Sequence, residues 1–177
     1  MPPEQVEPSY RLRPMREDDL DAVLAVQSAC YPASLQEPGG VVLARLRAAA
    51  PTTLVACADA TVCAYLFAYP SLLGRITPLD APFVPAKLPD TLYLHDLAVG
   101  PQALGRGLGR QLALRLLREA AAHGLRHAAL VSVQDTRRFW EGLGFDADAA
   151  RLPCAALAAY PAGAVYMTRS LQNIASA

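Results

Sequence analysis

The chain is predicted to form a mixed α/β domain with at least one β-α-β unit. Three observations carry this. Apolar residues recur at helical spacing in Leu20–Gln27 and again in Leu108–Ala120. Runs rich in β-branched and aromatic residues, bounded by polar breaks, fall at Thr53–Ala58, Thr61–Tyr69 and Thr91–Val99. Finally, the strand at Thr91–Val99 is followed by a helix and then by the continuous apolar run His127–Val133, the pattern of a strand in a parallel pair.

In chain order, Ser9–Met15 alternates as a strand. Arg16-Glu-Asp-Asp19 then supplies helix-starting carboxylates ahead of Leu20, Val23, Leu24 and Gln27. That helix stops at Cys30-Tyr31-Pro32, because the residue before a proline is pushed out of the helical region. A second helix is expected from about Gly40 to Ala50, with Val42, Leu43 and Leu46 buried. Thr53–Ala58 and Thr61–Tyr69 make a hairpin around Asp59-Ala60. From Pro70 to Asp90, five prolines in twenty-one residues mark a long loop, of the kind that covers a site. Leu108–His123 is a helix that Gly124 ends. Asp135–Leu143 is a short helix stopped by Gly144, and Ala164–Leu171 is a terminal strand. Residues 9–172 thus read as a single domain between a flexible leader, 1–8, and a tail, 173–177.

Composition removes several function classes. With 177 residues, 53% of them hydrophobic, the chain has ample core material for one domain. Sixteen basic residues balance sixteen acidic ones, so no global field draws the protein to nucleic acid or an anionic membrane. No apolar signal core opens the sequence, and no apolar run approaches the roughly 18 residues of a membrane span; a cytoplasmic location is expected. Cys30, Cys57, Cys63 and Cys154 are scattered without metal-ligand spacing, and are expected as buried reduced thiols.

The informative stretch is Gly100-Pro-Gln102-Ala-Leu104-Gly105-Arg106-Gly107-Leu108-Gly109-Arg110, where a strand gives way to a helix. Its alternate glycines let main chain approach a ligand closely, and the unpaired N–H groups of a helix start favour phosphate. Arg106 and Arg110 add charge at the rim. The spacing is GxGxG rather than GxGxxG, with no acidic residue at the end of the next strand, which disfavours a dinucleotide fold. A Walker loop needs a lysine that is absent here, the single lysine being Lys87.

Gln102-Ala-Leu-Gly105-Arg-Gly107 fits the Q/R-x-x-G-x-G/A signature of the GCN5-related N-acetyltransferases (GNAT). The chain resembles that family in three further segments: Arg13-Pro-Met-Arg-Glu-Asp-Asp-Leu20 at the first strand and helix, Phe139-Trp140-Glu-Gly-Leu-Gly144-Phe145, and Tyr166-Met167 with Leu171. The resemblance spans about residues 9 to 171. In the fourth strand, Tyr93-Leu-His95-Asp-Leu-Ala-Val is nearest to the H-L-H-x-L-A-V of the arylalkylamine N-acetyltransferase-like subset, with Tyr93 replacing one histidine.

The resemblance implies a bent sheet of six to seven strands, splayed between the fourth and fifth, with about four flanking helices and a bulge in the fourth strand. It implies acetyl-CoA as co-substrate, no metal, and direct transfer without an acyl-enzyme. Leu97, Ala98 and Val99 would bond the pantetheine arm. The turn of Gly105, Arg106, Gly107, Leu108, Gly109 and Arg110, with Gln102 and Leu104 beside it, would hold the pyrophosphate.

For proton uptake, His95 is the expected base, an imidazole suited to neutral pH; the alternative is a hydrogen-bonded structural histidine. Strand alternation places Tyr93 and His95 on one face, Leu94 and Asp96 on the other. Where the family commonly has a tyrosine acid stands Trp140, whose indole does not give up its proton near neutrality. The leaving thiolate then departs with water as proton source, or Tyr93, Tyr160 or Tyr166 takes over, or turnover is slow. Trp140 either packs on the cofactor or belongs to the core. Tyr31 and Tyr69 are expected at the acceptor mouth, and Asp96 either orients a cation or caps the bulge.

The reading is an acetyl-CoA-dependent N-acetyltransferase of a small primary amine, apolar, aromatic or amino-acid-like. An acyl-CoA-binding protein with little turnover and a peptide or protein N-terminal acetyltransferase are the alternatives. Nucleic-acid and membrane partners are not expected, and a homodimer is left open.

Overall fold

The computed structural model describes residues 9–153, 155–172 and 174. The expected leader 1–8 and Cys154 lie outside these residues, as does the tail 173–177 apart from Ile174. Tyr10–Pro14 (β1) leads into helices Leu20–Cys30 (α1) and Gly39–Ala49 (α2), then the hairpin Thr53–Ala58 (β2) and Thr61–Ser71 (β3). After the proline-rich loop come Thr91–Val99 (β4), Leu108–Ala122 (α3), His127–Ser132 (β5), Arg137–Glu141 (α4), Asp146–Ala147 (β6) and Val165–Ser170 (β7). The sheet order is β1-β2-β3-β4-β5-β7-β6, antiparallel everywhere except between β4 and β5.

The sheet is sandwiched. One face carries Leu54, Leu66, Leu92, Leu94 and Leu130 against Leu112 and Leu116 of α3, with Trp140 and Phe145 in the same cluster. The other carries Val55, Tyr65, Phe67, Tyr69 and Tyr93 against Val23 of α1 and Val42 and Leu46 of α2. Burial on both faces explains why β2 and β3 read as apolar runs without alternation.

Two helices differ from the sequence expectation. In α2 Leu43 is only half-buried, while Arg45 is fully buried among the apolar side chains. The helix expected at Asp135–Leu143 shrinks to α4, because Gln134 and Asp135 adopt left-handed backbone (φ 53° and 56°) that no helix can include. The two-residue β6 carried no sequence signal. Among the described residues no helix is long and apolar enough to cross a membrane, and Cys30, Cys57 and Cys63 are free thiols.

Candidate active site

The site begins with an irregularity in β4. Phe67 pairs with Asp96 and Ala68 with Leu94, so His95 has no partner on β3 and forms a bulge. Past the bulge the alternation is reset. Asp96 therefore lies on the same side as His95, facing α1 and α2, where simple alternation had put it on the opposite face. At the same point β4 parts from β5. Their parallel pairing runs only from Thr91↔His127 to Leu94↔Leu130, and residues 95–99 leave a free edge.

That edge borders a cleft of about 310 Å³, walled by Leu97, Ala98 and Val99 on one side, Val131 and Val133 on the other, and Leu104, Phe139 and Trp140 toward α3 and α4. The Gly100 N–H donates to Cys63 O on β3 at 2.8 Å, so alternation turns the main-chain groups of Leu97 and Val99 toward the cleft and those of Ala98 toward β3. Of the three expected pantetheine contacts, Leu97 and Val99 have the orientation for main-chain bonding; Ala98 does not. The two cleft-facing carbonyls meet the end of α1: Tyr31 Oη lies 3.0 Å from Leu97 O, and Cys30 Sγ lies 3.2 Å from Val99 O.

At the far end of the cleft, Leu104 opens an exposed turn through Gly105, Arg106 and Gly107 into α3. Gly105 and Gly107 have φ of 75° and 71°, conformations that an L side chain strains to adopt; a Cβ at Gly105 would meet open space, and one at Gly107 only Gln111 at 3.8 Å. The first helical bond runs from Gln111 N–H to Gly107 O, leaving the N–H groups of Leu108, Gly109 and Arg110 without intrahelical acceptors. The Leu108 side chain is in the core, so only its main chain is available there. Gly109 has a packing role: a Cβ there would lie 3.4 Å from Phe139 and 3.5 Å from Val99. Arg110 reaches Gly142 O at 3.1 Å, tying α3 to the end of α4, and Gln102 folds back beside Gly100.

Around His95 the structure assembles a charged cluster that the sequence did not announce. Arg45 Nη1 donates to His95 Nε2 at 2.8 Å and to Glu37 Oε2, and its Nε and Nη2 both donate to Ala81 O. Glu37 Oε2 also stands 3.3 Å from His95 Nε2, and Glu37 Oε1 accepts from the Asp80 N–H at 2.8 Å. Since guanidinium only donates, Arg45 engages the Nε2 lone pair of the neutral imidazole, whose proton then sits on Nδ1, buried without a partner; in the imidazolium, Nε2–H faces Glu37 Oε2 instead. The side chain is 3% exposed. His95 thus lies where the cleft needs a proton-handling group, but the lone pair expected of a base is taken by Arg45.

Burial pushes the Glu37 carboxyl up, yet the hydrogen bonds and charges of His95 and Arg45 prevail and hold it at about 2. A carboxylate held below its unfolded value near ~4.3 contributes stability above that pH, lost as pH falls toward 2. The stability difference between wild type and E37Q, read from urea midpoints, is therefore expected to be full at neutral pH and to shrink between about pH 4 and 2.

Beside this cluster, Asp96 is half-buried, accepting from Tyr31 Oη at 2.7 Å on Oδ1 and from Tyr65 Oη at 2.8 Å on Oδ2. A smaller recess of about 40 Å³, lined by Tyr31, Leu35, Glu37, Leu79, His95, Asp96 and Tyr160 among others, meets the cleft at Tyr31, His95 and Asp96. Tyr93 is only 1% exposed and borders neither cavity; it packs between Tyr69 and His95, and burial pushes its phenol well above the usual range. Tyr69 is stacked on Phe83, with its hydroxyl on Thr77, and does not reach the recess. Trp140 lines the cleft edge-on to Phe139 and Phe145, so it serves both core and cleft. Glu37 and Arg45 were missed. The available signal was a charged residue at position 45, inside the apolar stripe that Val42 and Leu46 define.

The acetyltransferase (GNAT) family model matches residues 20–145. Among solved structures, the loading GNATL domain of CurA from Lyngbya majuscula superposes with a TM-score of 0.76 at 14% identity, over 93% of this chain and 98% of that one. The ribosomal-protein-S18-alanine N-acetyltransferase from Escherichia coli gives 0.63 at 14%, over 92% and 94%. A GNAT family acetyltransferase from Brucella melitensis, solved with acetyl-CoA, gives 0.55 at 27%, over 78% and 84%. No curated protein matches this sequence significantly. The parted β4 and β5, the bulge at His95 and the glycine turn into α3 have the arrangement that the resemblance implied, and with the family match across residues 20–145 this chain belongs to the GNAT acetyltransferase family.

Proposed function

We propose that the protein is an acetyl-CoA-dependent N-acetyltransferase that moves the acetyl group directly to a primary amine of a small molecule. The observation that carries this is the single cleft running from Leu104 at the glycine turn, along the free edge of β4, to the recess at Tyr31, His95 and Asp96. The residues present fit acetyl-CoA. Positive φ at Gly105 and Gly107 and the open helix start suit the diphosphate, and the unpaired β4 edge suits an extended amide-bearing arm. When bound, this co-substrate supplies an acyl thioester whose thiol, with an ordinary pKa near ~8.5, is a tolerable leaving group as thiolate. That property lessens the need for the tyrosine that Trp140 replaces.

The recess favours a slim amine. At about 40 Å³ the recess is narrow, and Phe67, Tyr69, Phe83 and Tyr93 are buried in the core rather than lining it. Free-thiol release from acetyl-CoA with a panel of amines is the test. Turnover with short aliphatic amines or amino-acid-like amines, and less with arylalkylamines, is the expected result. Tight acetyl-CoA binding with no turnover for any amine would instead support the binding-protein alternative.

A further inference from the structure

Taking the transferase reading as its basis, we infer that the proton leaving the acceptor amine passes through the Tyr31 hydroxyl to Asp96, rather than to His95. The Tyr31 hydroxyl lies between two acceptors, Asp96 Oδ1 at 2.7 Å and Leu97 O at 3.0 Å, yet carries a single proton. With Asp96 ionised, that proton points to the carboxylate, and the phenol oxygen is free to accept. With Asp96 protonated, the carboxyl donates to the phenol oxygen, and the hydroxyl turns its proton to Leu97 O. Both states are fully hydrogen-bonded without movement of heavy atoms, which is what a relay position requires. Tyr31 and Asp96 both stand where the cleft meets the recess. His95, by contrast, has its acceptor nitrogen closed by Arg45.

The amine lone pair forms the C–N bond as the C–S bond breaks and the thiolate departs. The amine proton moves to Tyr31 Oη, and the proton already on Oη moves to Asp96 Oδ1. The proton on Asp96 then returns to solvent, from which the thiolate is protonated.

The groups that face Asp96 set its titration. Tyr31 and Cys30 approach from the end of α1, Tyr65 from β3, His95 from the bulge, Glu37 from the segment before α2, and Arg45 from α2 beyond Glu37. Burial is the largest influence and raises the carboxyl above the usual range. The Tyr31 hydrogen bond, the charge of His95 and the Tyr65 hydrogen bond oppose it, and the charge of Glu37 adds to the rise. Because the relay works only with Asp96 ionised, kcat/KM is expected to rise with pH through that elevated value.

Three variants and one isotope measurement test the relay. Y31F keeps the ring and loses the proton path, so kcat/KM should fall by about 10²- to 10⁴-fold with acetyl-CoA affinity unchanged. D96N should remove the Asp96 limb of the pH profile, leaving only that of the acceptor ammonium, along with most of the rate. Y65F removes a hydrogen bond that favours ionised Asp96, and should move the acidic limb to higher pH. In H2O/D2O mixtures the wild-type rate should curve, as two protons in flight require, and the residual Y31F rate should be linear. An active wild type with Y31F unimpaired, or a pH profile that only H95Q flattens, overturns the relay and leaves the transferase reading standing. No thiol release from wild type with any amine overturns both.

Discussion

Replacing Arg45 by methionine is expected to destabilise the protein by about 3–5 kcal/mol, the cost of leaving the buried Glu37 carboxylate without its cation. The guanidinium makes four hydrogen bonds to three residues. It bonds Glu37, His95 and, twice, Ala81 O, so its removal strips donors from the segment before α2, the bulge and the proline-rich loop at once. The effect should be read as a fall in the urea midpoint at constant slope. Adding E37L should recover much of the loss, because no buried charge is then stranded. If R45M and the double variant unfold at the same urea concentration, the cost does not come from an orphaned Glu37.

The second large effect is on the cofactor. G107V should weaken acetyl-CoA at least tenfold by calorimetry, equivalent to ~1.4 kcal/mol or more. Position 107 has φ 71° at the start of α3, a conformation that costs a non-glycine residue ~1–2 kcal/mol, more when β-branched. The protein itself has room for the side chain, since its nearest neighbour would be Gln111 at 3.8 Å. The stability loss should thus be confined to backbone strain, while the added methyls stand on the surface where a phosphate would approach. Intact acetyl-CoA affinity in folded G107V would place the diphosphate elsewhere.

The sequence determined a good deal of this protein. Local signals fixed the ends of β2 and β4, the stop of α1 at Pro32 and the turn from Gly105 into α3, because each depends on backbone preferences carried by nearby residues. The motif at Gln102–Gly107 with its companion segments identified the family before any coordinates, and family knowledge, not periodicity, supplied the bulge and the splay. What remained hidden shares one physical cause: it depends on residues distant along the chain. Strict alternation put Asp96 on the wrong face because a bulge is a mismatch between two strands and leaves no trace in one of them. His95 looked like a free base because nothing local shows that Arg45, fifty residues earlier, closes its Nε2. Tyr31 looked like a mouth residue, and only the fold brings it onto Asp96 and Leu97, sixty-five and sixty-six positions away. Short-range preferences are written residue by residue, whereas the protonation and partners of a buried polar group are decided by what the finished sheet and helices press against it.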